Sequence, residues 1–188
     1  MNAIEKQNLY FLAIIPPQQI CDEVTSFKED FANRFQSKTA LKVIPHITLK
    51  APFKLPHVAH DDTVQWFQQM PVTVSSFMQE LNGFNAFHNK RSPVVFVKPV
   101  MNVSLHQLQK QVLQSFRKAY PKEAIMNTEL EFKPHMTIAY RDLMPQLFAE
   151  AWKEYRTKIY TAAFEVDRFH LLQHNGRMWN SIDAFSLL

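Results

Sequence analysis

One short pattern occurs twice in this chain and constrains what it can fold into more than any other feature. Residues 45–50 read Pro-His-Ile-Thr-Leu-Lys, and residues 134–139 read Pro-His-Met-Thr-Ile-Ala. Both copies have the form Pro-His-apolar-Thr-apolar inside runs with strand character. Side chains on a strand alternate between faces. His46 and Thr48 therefore share one face, with Ile47 and Leu49 opposite; His135 and Thr137 likewise share a face, with Met136 and Ile138 opposite. Composition alone would give roughly 0.01 copies of Pro-His-apolar-Thr in a chain of this length, against two found. The bland alternative is a pair of structural histidines at the edge of a core. Two such strands facing one another would instead build a site with two imidazoles and two hydroxyls.

Composition narrows the chemistry. With 188 residues, 46% hydrophobic and 20% charged, the chain can bury a full core, and it is read as one bilobal domain over 1–188. Its net charge of +4 suits an anionic ligand, but no long Lys/Arg run marks a nucleic-acid stripe. The lone Cys21 excludes an internal disulfide and fits a reducing, cytoplasmic setting. The apolar run Leu9–Ile15 is too short to span a bilayer and lacks the flanks of a signal peptide. Glycine is the informative scarcity, with only Gly83 and Gly176 present. A P-loop or a dinucleotide-binding turn needs clustered glycines to bring backbone N–H groups onto phosphate. If this chain handles phosphate, side chains must do it.

Other reactive arrangements are missing. The segment His170-Leu-Leu-Gln-His174 lacks the glutamate of a zinc-protease helix, and His57 and His60 lie near prolines without ligand spacing. No metal or other cofactor is expected. No Gly-x-Ser-x-Gly elbow occurs, and Cys21 sits within a helical pattern.

In chain order, Asn8–Ile15 reads as a buried strand ended by Pro16-Pro17. Ile20, Val24, Phe27, Phe31 and Phe35 then form a helical stripe. Leu41–Lys50 is the first motif strand, followed by a loop over residues 51–56. A short helix starts at Asp61 or Asp62, and strands are expected over 72–87 and 93–97. Phe84, Phe87 and Phe96 could stack on a base, although strand aromatics more often pack. Ser104 with Gln107 resembles a capping box for a helix ending at Pro121. The second motif strand covers 131–140, and Asp142 can cap a helix over 144–155. Strands over 161–166, 169–173 and 178–185 close the chain, with Asn175-Gly176 as the hairpin turn. This order predicts an α+β fold of two pseudo-symmetric lobes, with antiparallel sheets flanked by helices.

A pair of His-x-Thr-x motifs about ninety residues apart in a chain of this length resembles the 2H phosphoesterase superfamily. Within it, the chain is similar to 2′-5′ RNA ligase-like proteins and 2′,3′-cyclic phosphodiesterases. The resemblance implies motif strands side by side in a central cleft. It also implies metal-independent opening of 2′,3′-cyclic phosphates on nucleotides or RNA ends, with reversible 2′-5′ ligation using the same groups. By the same resemblance His46 is the acid for the leaving oxygen, His135 the base for water, and Thr48 and Thr137 the donors beside them. Substrate contacts are expected from Phe11 of the opening strand and from Tyr140, which stands where relatives carry Arg. Lys50 and Arg141 join them because strand parity places each on a motif face. The implied partner is a nucleotide or RNA with a cyclic phosphate or 2′-5′ linkage, bound by a monomer with no membrane association. The alternative is a module that binds a nucleotide or RNA end in the same cleft without turnover.

Overall fold

In the computed structural model of the chain, which describes residues 6–188, the alternating and helical patterns become eight strands and five helices. The first half contains β1 (Gln7–Ile14), α1 (Gln18–Arg34), β2 (Ile47–Pro56), α2 (His60–Gln68) and β3 (Phe77–Phe87). Then come β4 (Val94–Pro99), α3 (Val103–Ala119), the single-turn α4 (Asn127–Leu130), β5 (Met136–Ala139) and α5 (Pro145–Tyr155). Three strands finish the chain: β6 (Thr161–Val166), β7 (Arg168–His174) and β8 (Trp179–Ser186). Residues 1–5 of the expected domain span lie outside the described residues. No helix among the described residues is long and apolar enough to cross a membrane.

The strands form two four-stranded antiparallel sheets, ordered β2-β1-β7-β8 and β5-β4-β3-β6. Each motif strand is an edge strand, paired with the strand that precedes the intervening helix. The architecture is α+β with pseudo-symmetric lobes, as the element order implies. The lobes do not follow the halves of the chain, however. The C-terminal β7–β8 hairpin returns to the first sheet, and β3 joins the second.

The helices are exchanged between lobes. Helix α1 leaves the first sheet and covers the second: Phe27 meets Phe84 edge-on at 5.0 Å, and Phe31 packs on Tyr155 of α5 at 4.7 Å. Helix α3 does the reverse, setting Phe116 4.7 Å from Phe53 of β2 and 5.9 Å from Trp66 of α2. Phe67 of α2 meets Phe169 of β7 at 5.4 Å. One cluster of buried side chains draws on all these elements. With each buried Phe contributing about 1.5–3 kcal/mol, the exchanged helices bind the lobes together through the core rather than through a linker.

Several local expectations are corrected. Thr39–Lys42 forms a 3-10 turn instead of strand, so the motif strand starts at Ile47 and runs through residues 51–56, expected as loop. Strand β3 begins at Phe77 rather than at residue 72. The cap of α3 is Asn102, whose side-chain oxygen accepts from Leu105 N–H at 2.8 Å, and not Ser104. Asp142 does not cap α5, which starts on Pro145, a residue with no N–H to satisfy. Its carboxylate instead accepts from Ser37 Oγ (2.8 Å) and from the backbone N–H groups of Lys38 (2.8 Å) and Thr39 (2.9 Å). Burial pushes the Asp142 carboxyl up, but those bonds outweigh it and hold the pKa below the ordinary aspartate value.

Lys50 is the most consequential correction. Thr48 pairs with Ala13 and Lys50 with Leu12, so β2 carries one residue more than β1 between those pairs. This bulge reverses the parity. Leu49 and Lys50 are both buried, and Lys50 points into the core beside Leu12 and away from the His46–Thr48 face. There its ammonium meets Glu129 at 3.0 Å and lies 4.5 Å from the centre of the Phe116 ring. Glu129, itself buried, also accepts from the backbone N–H groups of Ala51 (2.9 Å) and Met126 (2.8 Å).

Glu129→Ala leaves the Lys50 ammonium buried without a counter-charge and is expected to lower unfolding free energy by about 3–5 kcal/mol. Adding Lys50→Met in that background removes the stranded charge and should recover most of the loss in urea unfolding. No recovery in the double variant would mean that the backbone bonds of Glu129, rather than the ion pair, carry the effect.

Candidate active site

His46 and His135 each stand one residue before their strand, and the same local device orients both rings. His46 Nδ1 lies 2.7 Å from the Ile44 carbonyl and His135 Nδ1 lies 2.8 Å from the Lys133 carbonyl, in each case two residues back. A carbonyl can only accept, so in both rings Nδ1 carries the hydrogen and donates it. In the neutral ring Nε2 is then left with its lone pair free. The intervening Pro45 and Pro134 explain why the carbonyl is available. Proline fixes its own φ near about −65° and biases the residue before it toward extended backbone, so the carbonyl two residues back is held for the ring.

The strand parity expected around the motifs holds over its first residues. Ile47, Leu49, Met136 and Ile138 are buried, while Thr48 and Thr137 line the same cleft as the two histidines. The cleft has a volume of about 540 Å³. Leu9, Phe11, His46, Thr48 and Pro52 come to it from β1 and the first motif segment, with His174 and Trp179 from the β7–β8 hairpin. Phe87, Val94, His135, Thr137, Tyr140 and Arg141 come from the second lobe, and Lys28, Ala40 and Val43 from α1 and the 3-10 turn region.

The structure therefore brings together seven of the eight residues singled out in the sequence: His46, Thr48, His135, Thr137, Phe11, Tyr140 and Arg141. Lys50 lies outside, in the core. Tyr140 and Arg141 are neighbours, and an extended strand would send them to opposite faces. Both reach the cleft because the strand ends at Ala139 and Arg141 adopts φ 57°, a turn that brings its guanidinium to 5.1 Å over the Tyr140 ring. Of the three candidate stacking phenylalanines, Phe87 lines the cleft, Phe96 backs His135 at 5.5 Å, and Phe84 belongs to the core against α1.

Sequence reasoning missed Lys28, His174 and Trp179. Trp179 stands edge-on to Phe11 at 4.5 Å, Phe11 lies 4.9 Å from His46, and His174 lies 5.1 Å from Trp179, so an aromatic wall runs along the first lobe. Lys28 had a signal: it follows Val24 by four residues and precedes Phe31 by three, so it interrupts the apolar face of α1. The remaining polar histidine contacts are structural. His60 Nδ1 meets Tyr10 OH at 2.9 Å, His57 meets Asn8, and His170 meets Ser181. Cys21 is buried and its thiol is pushed up to about 11, chiefly by that burial, which makes it a poor nucleophile. No group of three or more His, Cys, Asp and Glu side chains suited to a metal ion occurs among the described residues.

Electrostatically the cleft favours neutral imidazoles. Burial is the main cause of the lowering of the His46 pKa to about 4; the positive charges of Lys28 and His135 add to it, and the Ile44 carbonyl opposes it. Burial also lowers His135, against the Lys133 carbonyl. Two free Nε2 atoms and two hydroxyls on facing walls can accept one proton, deliver another and hold anionic oxygens between them.

The chain is similar to known proteins over most of its length. A family model described as the 2′-5′ RNA ligase superfamily matches residues 16–177. A protein from Bacillus cytotoxicus named "Putative phosphoesterase" is 30% identical over 179 residues, covering 94% of this chain and 95% of that protein. A similarly named protein from a Geobacillus strain is 27% identical over 177 residues, covering 94% of each. Among solved structures, Escherichia coli LigT complexed with 3′-AMP superposes with a TM-score of 0.67 at 16% identity, over 97% of this chain and 99% of LigT. TT0787 of Thermus thermophilus superposes with a TM-score of 0.63, also at 16% identity, over 95% and 97% of the two chains. These two likenesses show a shared fold.

The His46 environment has a consequence for stability. Its pKa in the fold lies below the value of about 6.5 in an unfolded chain, so as pH falls the unfolded state takes up the proton first. The contribution is fully present above pH 6.5 and is lost as pH falls from there through about 4, with an upper bound of about 3 kcal/mol. His46→Gln should therefore lose less unfolding free energy than the wild type between pH 7.5 and pH 4.5 in urea titrations. Equal losses would mean that the ring is not desolvated in the fold.

Proposed function

The chain belongs to the 2′-5′ RNA ligase superfamily, and from that footing we propose that it is a 2H-type phosphoesterase that opens 2′,3′-cyclic phosphates of nucleotides or RNA ends. The observation that carries this reading is the matched pair of imidazoles. Each is fixed through Nδ1, each leaves Nε2 free, and each has a threonine hydroxyl on the same face of one cleft. Pure binding has no need for two titrating groups in duplicate.

Water attacks phosphorus while His135 Nε2 takes its proton; the new P–O bond forms as the bond from phosphorus to one sugar oxygen breaks. Protonated His46 delivers its Nε2 proton to that sugar oxygen, leaving a phosphomonoester and a free hydroxyl. Thr48 and Thr137 donate to the non-bridging oxygens, and Arg141 supplies positive charge at the rim. Run in the same direction with a 5′-hydroxyl in place of water, the 5′-oxygen bonds to phosphorus as the bond to the 3′-oxygen breaks, and the same groups join two ends through a 2′-5′ bond. A volume of about 540 Å³ fits a nucleotide-sized ligand, and Tyr140 offers a ring face for its base, while the buried Phe11 backs His46. The 3′-AMP in the E. coli LigT complex is a ligand of this size and chemistry. Burial is what chiefly holds His46 neutral, and the negative charge of a bound phosphate opposes that effect and so favours the protonated acid the scheme requires.

The test is hydrolysis of an oligonucleotide ending in a 2′,3′-cyclic phosphate, in excess chelator. Wild-type turnover should persist there, and His46→Gln and His135→Gln should each cut it by roughly 10²–10⁴-fold. Thr48→Val and Thr137→Val should cost roughly 10²-fold each. Full turnover in either histidine variant would sink the two-histidine scheme, and tight binding without wild-type turnover would make the cleft a binding module. A substrate with an activated leaving group separates the roles: it should rescue the His46 variant, which lacks the acid, and leave the His135 variant inactive.

A further inference from the structure

Two lysines are fully buried in this fold, and they are treated differently. Lys50 is 1% exposed and is neutralised by Glu129 at 3.0 Å. Lys28, on the apolar face of α1, is 2% exposed, and among the described residues its one hydrogen bond runs from Nζ to the Val43 carbonyl at 2.7 Å. Among the described residues no carboxylate lies within ion-pair distance of it. An ammonium has three donors, so two are left for another partner. Lys28 also lines the cleft wall with His46, Thr48 and Val43.

A buried cation without a counter-charge destabilises a fold, and an apolar side chain of similar length would suit the α1 stripe between Val24 and Phe31 better. The missing counter-charge is therefore sought in the cleft that Lys28 lines. We propose that Lys28 is an anion-binding residue of this cleft, its ammonium taking a phosphate oxygen of the bound ligand on the His46 side. The identity of the anion rests on the phosphate-ester reading above; the need for one rests on the unpaired charge alone. Burial draws the Lys28 pKa down to about 8, so at pH 7 the group is still mostly charged and can serve. The cleft then carries cations on two segments that meet there: Lys28 on α1 and Arg141 after β5, a strand against which α1 packs.

Calorimetric titration with inorganic phosphate and with 3′-AMP at pH 7 tests this on wild type, Lys28→Met and Lys28→Arg. A charge-assisted hydrogen bond is worth a factor of roughly ten to one hundred in affinity. Lys28→Met should weaken both ligands by that factor while its melting temperature stays level or rises, and Lys28→Arg should keep most of the wild-type affinity. Undiminished affinity in Lys28→Met overturns the proposal, as does a wild type that binds neither probe at millimolar concentration. A fall in melting temperature in both variants, with affinity lost equally in each, also overturns it by assigning Lys28 a structural role. These readouts are binding constants, so the proposal can survive a failure of the hydrolysis assay, and the hydrolysis scheme can survive its failure.

Discussion

Everything at the cleft depends on two edge strands being held opposite each other without pairing. Strands β2 and β5 belong to different sheets, so no ladder of hydrogen bonds sets their separation. Two carboxylates from the flanks of the second motif set it instead. Before β5, Glu129 grips the bulge of β2 through Lys50 and the Ala51 N–H. After β5, Asp142 grips the turn ahead of His46 through Ser37, Lys38 and Thr39. Ser37 lies 105 residues from Asp142 in sequence, yet the contact is as short as a local cap. The exchanged helices supply the apolar part of the same constraint: α1 and α3 each pack on the lobe opposite to the strand they leave. A change in spacing between the histidines would have to disturb both the core and these polar clamps.

Burial gives the site its chemical character and also sets its difficulty. Desolvation lowers both imidazoles and so favours their neutral forms. Acid–base chemistry needs one of them protonated. In the scheme proposed above the missing proton arrives with the ligand, because an anion between the rings offsets the Lys28 field at His46 and compensates part of the desolvation cost. Binding and proton uptake are one event in that scheme, and the tautomer fixed by Ile44 and Lys133 leaves Nε2 as the atom that takes the incoming proton.

How far the sequence could be read follows from the range of each interaction. The α+β order, the Asn175–Gly176 hairpin and the alternation from His46 to Leu49 are local, and each stands in the structure where local rules put it. Lys50 escapes those rules because a bulge set by pairing with β1 reverses the alternation, and a single strand holds no record of its partner's count. Asp142 resembles a helix cap because its neighbours fit one, while its true partners lie more than one hundred residues away. Helix exchange and the return of β7–β8 to the first sheet are long-range choices that periodicity does not encode. Lys28 is legible in principle, but attention to an apolar stripe discards the one residue that violates it.

The scarcity of glycine ties these observations together. A protein that holds phosphate with backbone N–H groups needs residues free to adopt φ > 0 around the ligand. Gly83 and Gly176, the only two here, lie outside the cleft lining. The turn after β5 nonetheless requires a positive φ, and Arg141 occupies it at 57°. A non-glycine residue in that region costs on the order of 1 kcal/mol, and glycine there would relieve the strain while removing the guanidinium. The same choice is visible at Lys28, where an apolar residue would stabilise the helix packing and remove an ammonium from the cleft wall. At both positions the fold keeps a cation that its own stability disfavours. The anion proposed as the occupant of this cleft would give both costs a physical return, beyond what the Val43 carbonyl returns at Lys28 and the Tyr140 ring at Arg141.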